Sequence, residues 1–123
     1  MKDEMYLVSI TARHDKVAEL RDALYAIGVL GITVSSAEGH GAQMGYEMQY
    51  RGVRRVSHSY AKTLVETVVC EIPVDDVIKA AVGALKTEEA GDGKISVERV
   101  SRVIRVRTGE EDLAALTNYE PAG

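Results

Sequence analysis

The chain has no tryptophan and no phenylalanine, and six tyrosines are its only aromatic residues. Its 123 residues must therefore build a core from Val, Ile, Leu, Ala and Met, which fill space by pattern rather than around a few large anchors. Cys70 is the single cysteine, so no intrachain disulfide can form and no thiol pair is available for a soft metal. Positive charge is also scarce. Fifteen Lys and Arg stand against nineteen Asp and Glu, a net charge of −4, which argues against DNA or RNA as the partner. No apolar run approaches the length of a membrane span, and no leader-like run precedes the first strand-like segment, so a cytoplasmic location is expected. At this length a single domain is expected.

What is present alternates between two periods. Met5 to Thr11 is β-rich and reads as an opening strand. His14 to Ile27 follows as a helix with Val17, Leu20, Leu24 and Ile27 on one stripe, and Gly28 suits a left-handed stop. Ile32 to Glu38 is a second strand, and Gly41 to Tyr60 is a long polar stretch without period, expected to be a loop. Ala61 to Ile72 is a strong strand. Pro73 then opens a helix that carries Asp75 and Asp76 at its positive end and runs through Val77, Ile78, Ala81, Val82 and Leu85. Ile95 to Val97 and Val100 to Arg107 are expected as late strands. The order βαββαβ predicts an α+β, ferredoxin-like fold with both helices on one face of an antiparallel sheet. The domain spans residues 1–111, and 112–123 are expected to form a short mobile tail.

Two helices cover only one sheet face. The strand after the loop is apolar on both faces, with Val65 and Val69 on one and Leu64, Val68 and Cys70 on the other. A homo-oligomer that buries the second face is expected.

The chemistry-bearing residues sit late in the chain. Gly91-Asp92-Gly93-Lys94-Ile95 combines two glycines, which can turn consecutive N–H groups toward an anion, with a lysine beside them. Eleven residues after that lysine comes Arg105-Val106-Arg107-Thr108-Gly109. Period-two alternation would set Arg105 and Arg107 on one strand face, and together the two segments read as a polyphosphate grip. Taken singly each is weak, since GDG is a common hairpin turn and strand arginines mostly face water. In the loop, Arg51, Arg54 and Arg55 have no balancing acid until Glu66, which suggests a basic docking arm on an acidic protein. Gln43 at the loop's start can ligate Mg²⁺ through its carbonyl, and Lys62 at its end can pair with a carboxylate.

These residues match a known pattern. Gly31-Ile32-Thr33-Val34, Gly39-His40-Gly41, Gln43, Gly45, Tyr50-Arg51-Gly52, Lys62, the GDGKI run and Val103 to Glu110 occur in order and at fitting spacings. The chain resembles the PII nitrogen-regulatory signal proteins over nearly its whole length. The resemblance implies a compact homotrimer that binds ATP or ADP in clefts between subunits, and 2-oxoglutarate beside Mg-ATP. It implies that Thr33 and the backbone at Val68 touch adenine. Gly39, His40, Gly41, Ala42, Gly91, Asp92, Gly93 and Lys94 would cradle the nucleotide, with Arg105 and Arg107 on its phosphates. Gln43 would ligate Mg²⁺ and Lys62 would meet the distal carboxylate of 2-oxoglutarate. The segment of about 41–60 looks like the family's T-loop, in which Tyr50, Arg51, Arg54 and Arg55 would meet a target, an ammonium transporter or a nitrogen-metabolism enzyme or regulator.

The chain departs from the family pattern at several places. Ala42 stands where an arginine usually helps hold the γ-phosphate, and Glu88-Glu89-Ala90 replaces a small-basic-apolar run. Arg55 and Val53 occupy positions that other members modify covalently, so those marks are not expected here. Thr11-Ala12-Arg13 replaces a lysine-proline pattern. Two rival readings follow. One is a PII-like adenine-nucleotide sensor without a 2-oxoglutarate response, which Ala42 and Ala90 favour. The other is a phosphotransferase of similar core using His40, which lacks an evident acid partner. A metal-tolerance trimer of similar fold is weaker still, because the histidines are scattered.

Overall fold

The computed structural model describes residues 4–40, 47–50, 53–56 and 59–117, and for residues 39, 40 and those between 47 and 60 it describes the backbone alone. Strand β1 (Met5–Arg13) leads through a 3₁₀ turn (His14–Lys16) into helix α1 (Val17–Ala26) and strand β2 (Thr33–His40). A short hairpin, β3 (Glu47–Tyr50) and β4 (Val53–Val56), precedes β5 (Ser59–Val69). Helix α2 (Val74–Leu85), strand β6 (Gly93–Val100) and a one-turn helix α3 (Leu113–Thr117) complete the elements among the described residues. The main sheet has the order β2-β5-β1-β6, antiparallel at every junction. This is the ferredoxin-like arrangement the alternating periods predict.

Strand alternation decides the core. Val8, Ile10 and Ala12 of β1 and Val65 and Val69 of β5 are buried, and they meet Leu20 and Leu24 of α1 and Val77, Ala81 and Leu85 of α2. Each of those side chains removes roughly 1.5–3 kcal/mol worth of apolar surface from water if large, which is what holds the helices on one face. The predicted stripe of α1 is present, with Val17 and Ile27 half-buried at its edges. In α2 the buried stripe is narrower than expected: Val82 is 43% exposed, because spacing of four from Val77 selects Ala81 and Leu85.

Helix α1 stops as its sequence dictates. Gly28 has φ +97, its N–H donates to Tyr25 O (3.0 Å) and the Val29 N–H donates to Leu24 O (3.1 Å). That pair of bonds is the Schellman arrangement, and the buried Val29 supplies its apolar contact. Pro73 lies one residue earlier than expected. It caps α2, its carbonyl accepting the Asp76 and Val77 N–H groups.

Three expectations are corrected. The stretch from 41 to 60 is not a plain loop, since β2 runs on to His40, β5 starts at Ser59 and the β3–β4 hairpin lies between. The tail after Glu111 begins with α3. No strand forms over Val100–Arg107. Instead β6 ends at Val100, and the next residues fold back on themselves through Arg105 N–H to Glu110 O (2.8 Å), Gly109 N–H to Arg105 O (2.8 Å) and Asp112 N–H to Val103 O (2.7 Å). The only ladder there is a single bridge, Ile104 to Glu111. Gly109 at φ +76 lets the chain reverse, so the period-two alternation has no sheet to belong to. Among the described residues no helix is long and apolar enough to cross a membrane.

Candidate functional site

The sheet register places the polar residues of the helix-free face in rows. Thr33 pairs with Glu66, Glu66 with Ser9 and Ser9 with Ser96. One row along lie Ser35, Leu64, Thr11 and Lys94, and the next holds Ala37, Lys62 and Arg13. In β1 and β5 they alternate with the buried residues, and the register carries that face across β2 and β6, so they share the face the helices leave uncovered.

At one end of this face is a cavity of about 620 Å³, walled by the segment from Gly28 to Thr33, the end of β5, Arg105 and α3. Thr33, Val68 and Arg105 meet there. Thr67 fixes the wall by donating its hydroxyl to Gly31 O (2.7 Å), and Ser9 Oγ donates to Glu66 in the cavity floor (3.0 Å). The two arginines of the late run are not co-facial. Arg105 turns inward, with its side chain 15% exposed and its Nη1 on Glu110 Oε1 (2.8 Å), whereas Arg107 is exposed in the turn that follows. The fold-back at 106–109 separates them.

At the opposite end sits the turn that enters β6. Gly91 and Gly93 take φ +94 and +116, as their spacing predicts. Gly93 is also required by packing, since a Cβ there would lie 1.9 Å from Thr11 O across the β1–β6 ladder. Asp92 closes the turn from below, its carboxylate accepting the Thr87 N–H (2.6 Å) and the Thr87 hydroxyl (2.5 Å). The ammonium of Lys62 donates to Gly91 O, and Arg13 Nη2 donates to Ala90 O (2.6 Å). A Cβ on Gly91 would touch both cations, at 3.4 Å from Arg13 Nη2 and 3.7 Å from Lys62 Nζ. Arg13 further lies 3.5 Å from Asp92 and 3.9 Å from Glu89. Lys94 is exposed one row away.

The electrostatics follow from this crowding. Burial, and then the neighbouring Arg13 guanidinium, push the Lys62 ammonium below its ordinary range, with Asp92 opposing. Asp92 is held below the usual carboxylate range, first by the Thr87 hydroxyl and then by the Thr87 N–H. A depressed folded-state value stabilises the fold above the unfolded pKa of about 3.9 and is lost as pH falls through the folded value. The turn is therefore expected to loosen in acid below about pH 4. Amide exchange at Thr87, followed by NMR from pH 6 to 3, should accelerate in the native chain. In Asp92→Asn it should be fast already at neutral pH and nearly flat with acid.

Gly39 and His40 end β2 opposite Tyr60 and Ser59. Tyr50 lies on β3, and Arg54 and Arg55 lie on β4. Gly41, Ala42, Gln43 and Arg51 fall outside the described residues. Sequence inspection missed Arg13, Glu66 and the α3 wall. The signal for Arg13 and Glu66 was the strand alternation itself, which sets them on the same face as Lys62 and Thr33. Helix α3 is too short to carry a period. Among the described residues no three His, Cys, Asp or Glu side chains gather as a metal site.

The two ends are far apart on one chain. Lys62 and Val68 are six residues apart along β5, about 20 Å at the rise of a strand.

Comparison with known proteins places the chain in a family. Residues 5–110 match the family described as nitrogen regulatory protein P-II. The nitrogen regulatory PII-like protein of Bacillus subtilis is 40% identical over 116 residues, 94% of this chain and 100% of the relative. The nitrogen regulatory protein GlnK of Escherichia coli is 38% identical over 112 residues, 91% and 100% of the two chains. The solved structure of the B. subtilis GlnK–ATP complex superposes with a TM-score of 0.79 at 36% identity, covering 94% of this chain and 99% of that one. The chain is a member of the P-II family of nitrogen regulatory signal transducers.

Proposed function

We propose that this protein is a non-enzymatic, cytoplasmic signal transducer that works as a homotrimer and binds ATP or ADP between adjacent subunits. The observation that carries the reading is the separation of two half-sites on one sheet face. Thr33, Glu66, Val68 and Arg105 form an apolar-walled cavity suited to a purine and its first phosphate. Lys62, Lys94, Arg13 and the Gly91–Gly93 turn form a cationic end suited to an oxyanion. A span of about 20 Å exceeds what one nucleotide bridges within a chain. It fits two chains that each lend one half. The uncovered face, with Leu64 and Val68 only half-buried, supplies the apolar surface for such an assembly.

Mg-ATP would allow 2-oxoglutarate to bind at the second half-site. Mg²⁺ takes oxygen ligands, so phosphate oxygens and the Gln43 carbonyl suit it, and the metal would neutralise phosphate charge. Lys62 and Arg13 would receive the far carboxylate, whose arrival relieves the repulsion between these two cations. The segment of about 41–60, with Tyr50 on β3, Arg54 and Arg55 on β4, and Arg51 of the same stretch of sequence, would dock onto the target, an ammonium transporter or a nitrogen-metabolism enzyme or regulator. The regulatory names of the relatives support regulation over phosphotransfer from His40.

A second reading has its own support. Glu89 and Asp92 already lie beside Arg13, and Ala42 removes one cation, so the chain could sense nucleotide alone. Calorimetric titration of 2-oxoglutarate into protein saturated with Mg-ATP, and then with Mg-ADP, separates the two. Heat that appears only with ATP supports the dual sensor. Nucleotide binding without any oxoacid response selects the second reading.

A further inference from the structure

Helix α3 touches the purine cavity through Ala115, Leu116 and Thr117, yet none of its residues is buried and it is only one turn long. A helix that short does not persist on its own. It is reached through Asp112, which holds a left-handed φ of +54, an uncommon conformation for a residue with a side chain. Asp112 is pinned to Val103, its N–H donating to Val103 O (2.7 Å) and its carboxylate accepting the Val103 N–H (3.1 Å), and beyond that point Arg105 fastens the helix to the domain. The guanidinium donates through Nη2 to Ala115 O (2.8 Å) and through Nη1 to Glu110 Oε1 (2.8 Å). Glu110 is itself aimed by the Thr108 hydroxyl, which donates to the same oxygen (2.9 Å). Arginine meets a carboxylate and a phosphate with the same planar fork, so a phosphate taking the Nη1–Nη2 edge displaces Glu110 and Ala115 O from it.

We propose that α3 is an autoinhibitory strap across the purine half-site, fastened by Arg105, in which the Glu110 carboxylate occupies the place a nucleotide phosphate takes. This rests on the reading of the cavity as a nucleotide half-site and adds a control to it. Nucleotide binding draws Arg105 off Glu110 and Ala115 O and releases α3 about the Asp112 hinge. The strap thus lowers affinity in the free protein and exposes a new C-terminal segment in the bound one.

Two measurements on the full chain test it, with ADP as the probe. Glu110→Gln keeps the side-chain shape but removes the charge that competes with phosphate. Its ADP affinity by calorimetry should rise roughly fivefold over the native chain, the effect of about 1 kcal/mol. In the native chain, hydrogen exchange of residues 110–117 should speed up on ADP addition while that of 66–72 slows. Equal or weaker ADP binding by Glu110→Gln, or slower exchange of 110–117 with ADP, overturns the strap and makes α3 a fixed wall of the site. Absence of ADP binding by both proteins overturns the nucleotide reading itself, and the strap with it.

Discussion

Replacing Gly93 with alanine should remove about 3–5 kcal/mol of stability, a large share of what a domain of this size has. The new Cβ would sit 1.9 Å from Thr11 O and 3.0 Å from Thr11 C, both backbone atoms of the central strand that cannot step aside. The residue would also have to hold φ +116, a conformation L side chains rarely adopt. Because Gly93 pairs with Ala12 and Lys94 with Thr11, the only relief is to part β6 from β1 at its first rungs. Urea denaturation of the variant beside Gly91→Ala provides the internal comparison. A Cβ on Gly91 meets only the far ends of Arg13 and Lys62, so its cost is the left-handed backbone term of about 1–2 kcal/mol. Similar losses for both would mean that the close approach of β1 to the turn is wrong.

The second large effect concerns binding. Arg105→Ala removes the one cation among the described residues that line the purine cavity, and Lys94→Ala removes an exposed cation from the opposite half-site. A hydrogen bond to a charged group is worth about 1.5–3 kcal/mol, so each variant should bind ATP roughly tenfold to 150-fold more weakly. Neither should change the urea midpoint much. Lys94 is exposed, and the Arg105 ion pair joins only a turn and a one-turn helix with no buried residue. Calorimetry and denaturation on the same samples check both halves of the statement. An Arg105→Ala chain that binds ATP normally would remove Arg105 from the site.

Much of this architecture was legible before any coordinates. The stripe Val17, Leu20, Leu24 followed by Gly28 fixed α1 and its end, because helix periodicity and a left-handed stop are local properties. The alternation through 61–69 fixed both faces of β5 for the same reason. The failures have a common physical origin in partners that sequence does not reveal. The run Val103-Ile104-Arg105-Val106-Arg107 alternates as a strand does, but its bonding partners are Glu110 to Asp112 in the same segment, so it closes on itself. The β3 and β4 strands are four residues each, too short for a period to stand out inside a polar stretch. Arg13 reaches Ala90, 77 residues away, only because β1 lies between β5 and β6. The sequence pattern and the family resemblance singled out the glycine turn, Lys62, Thr33 and Arg105. Neither could show that these residues fall into two groups at opposite ends of one face, which is a consequence of strand length and register.

That division is the central claim, and mixing two defective chains tests it most directly. Arg105→Ala spoils the purine half-site and leaves the turn intact, whereas Lys94→Ala does the reverse. Each homo-oligomer should bind ATP poorly. When the two are unfolded together, refolded and separated by size, mixed oligomers should regain sites of native affinity wherever an intact half from one chain meets an intact half from its neighbour. Recovery of native affinity in the mixture is the predicted result. No recovery in demonstrably mixed oligomers, or native ATP affinity in a monomeric chain, would contradict a site shared between subunits.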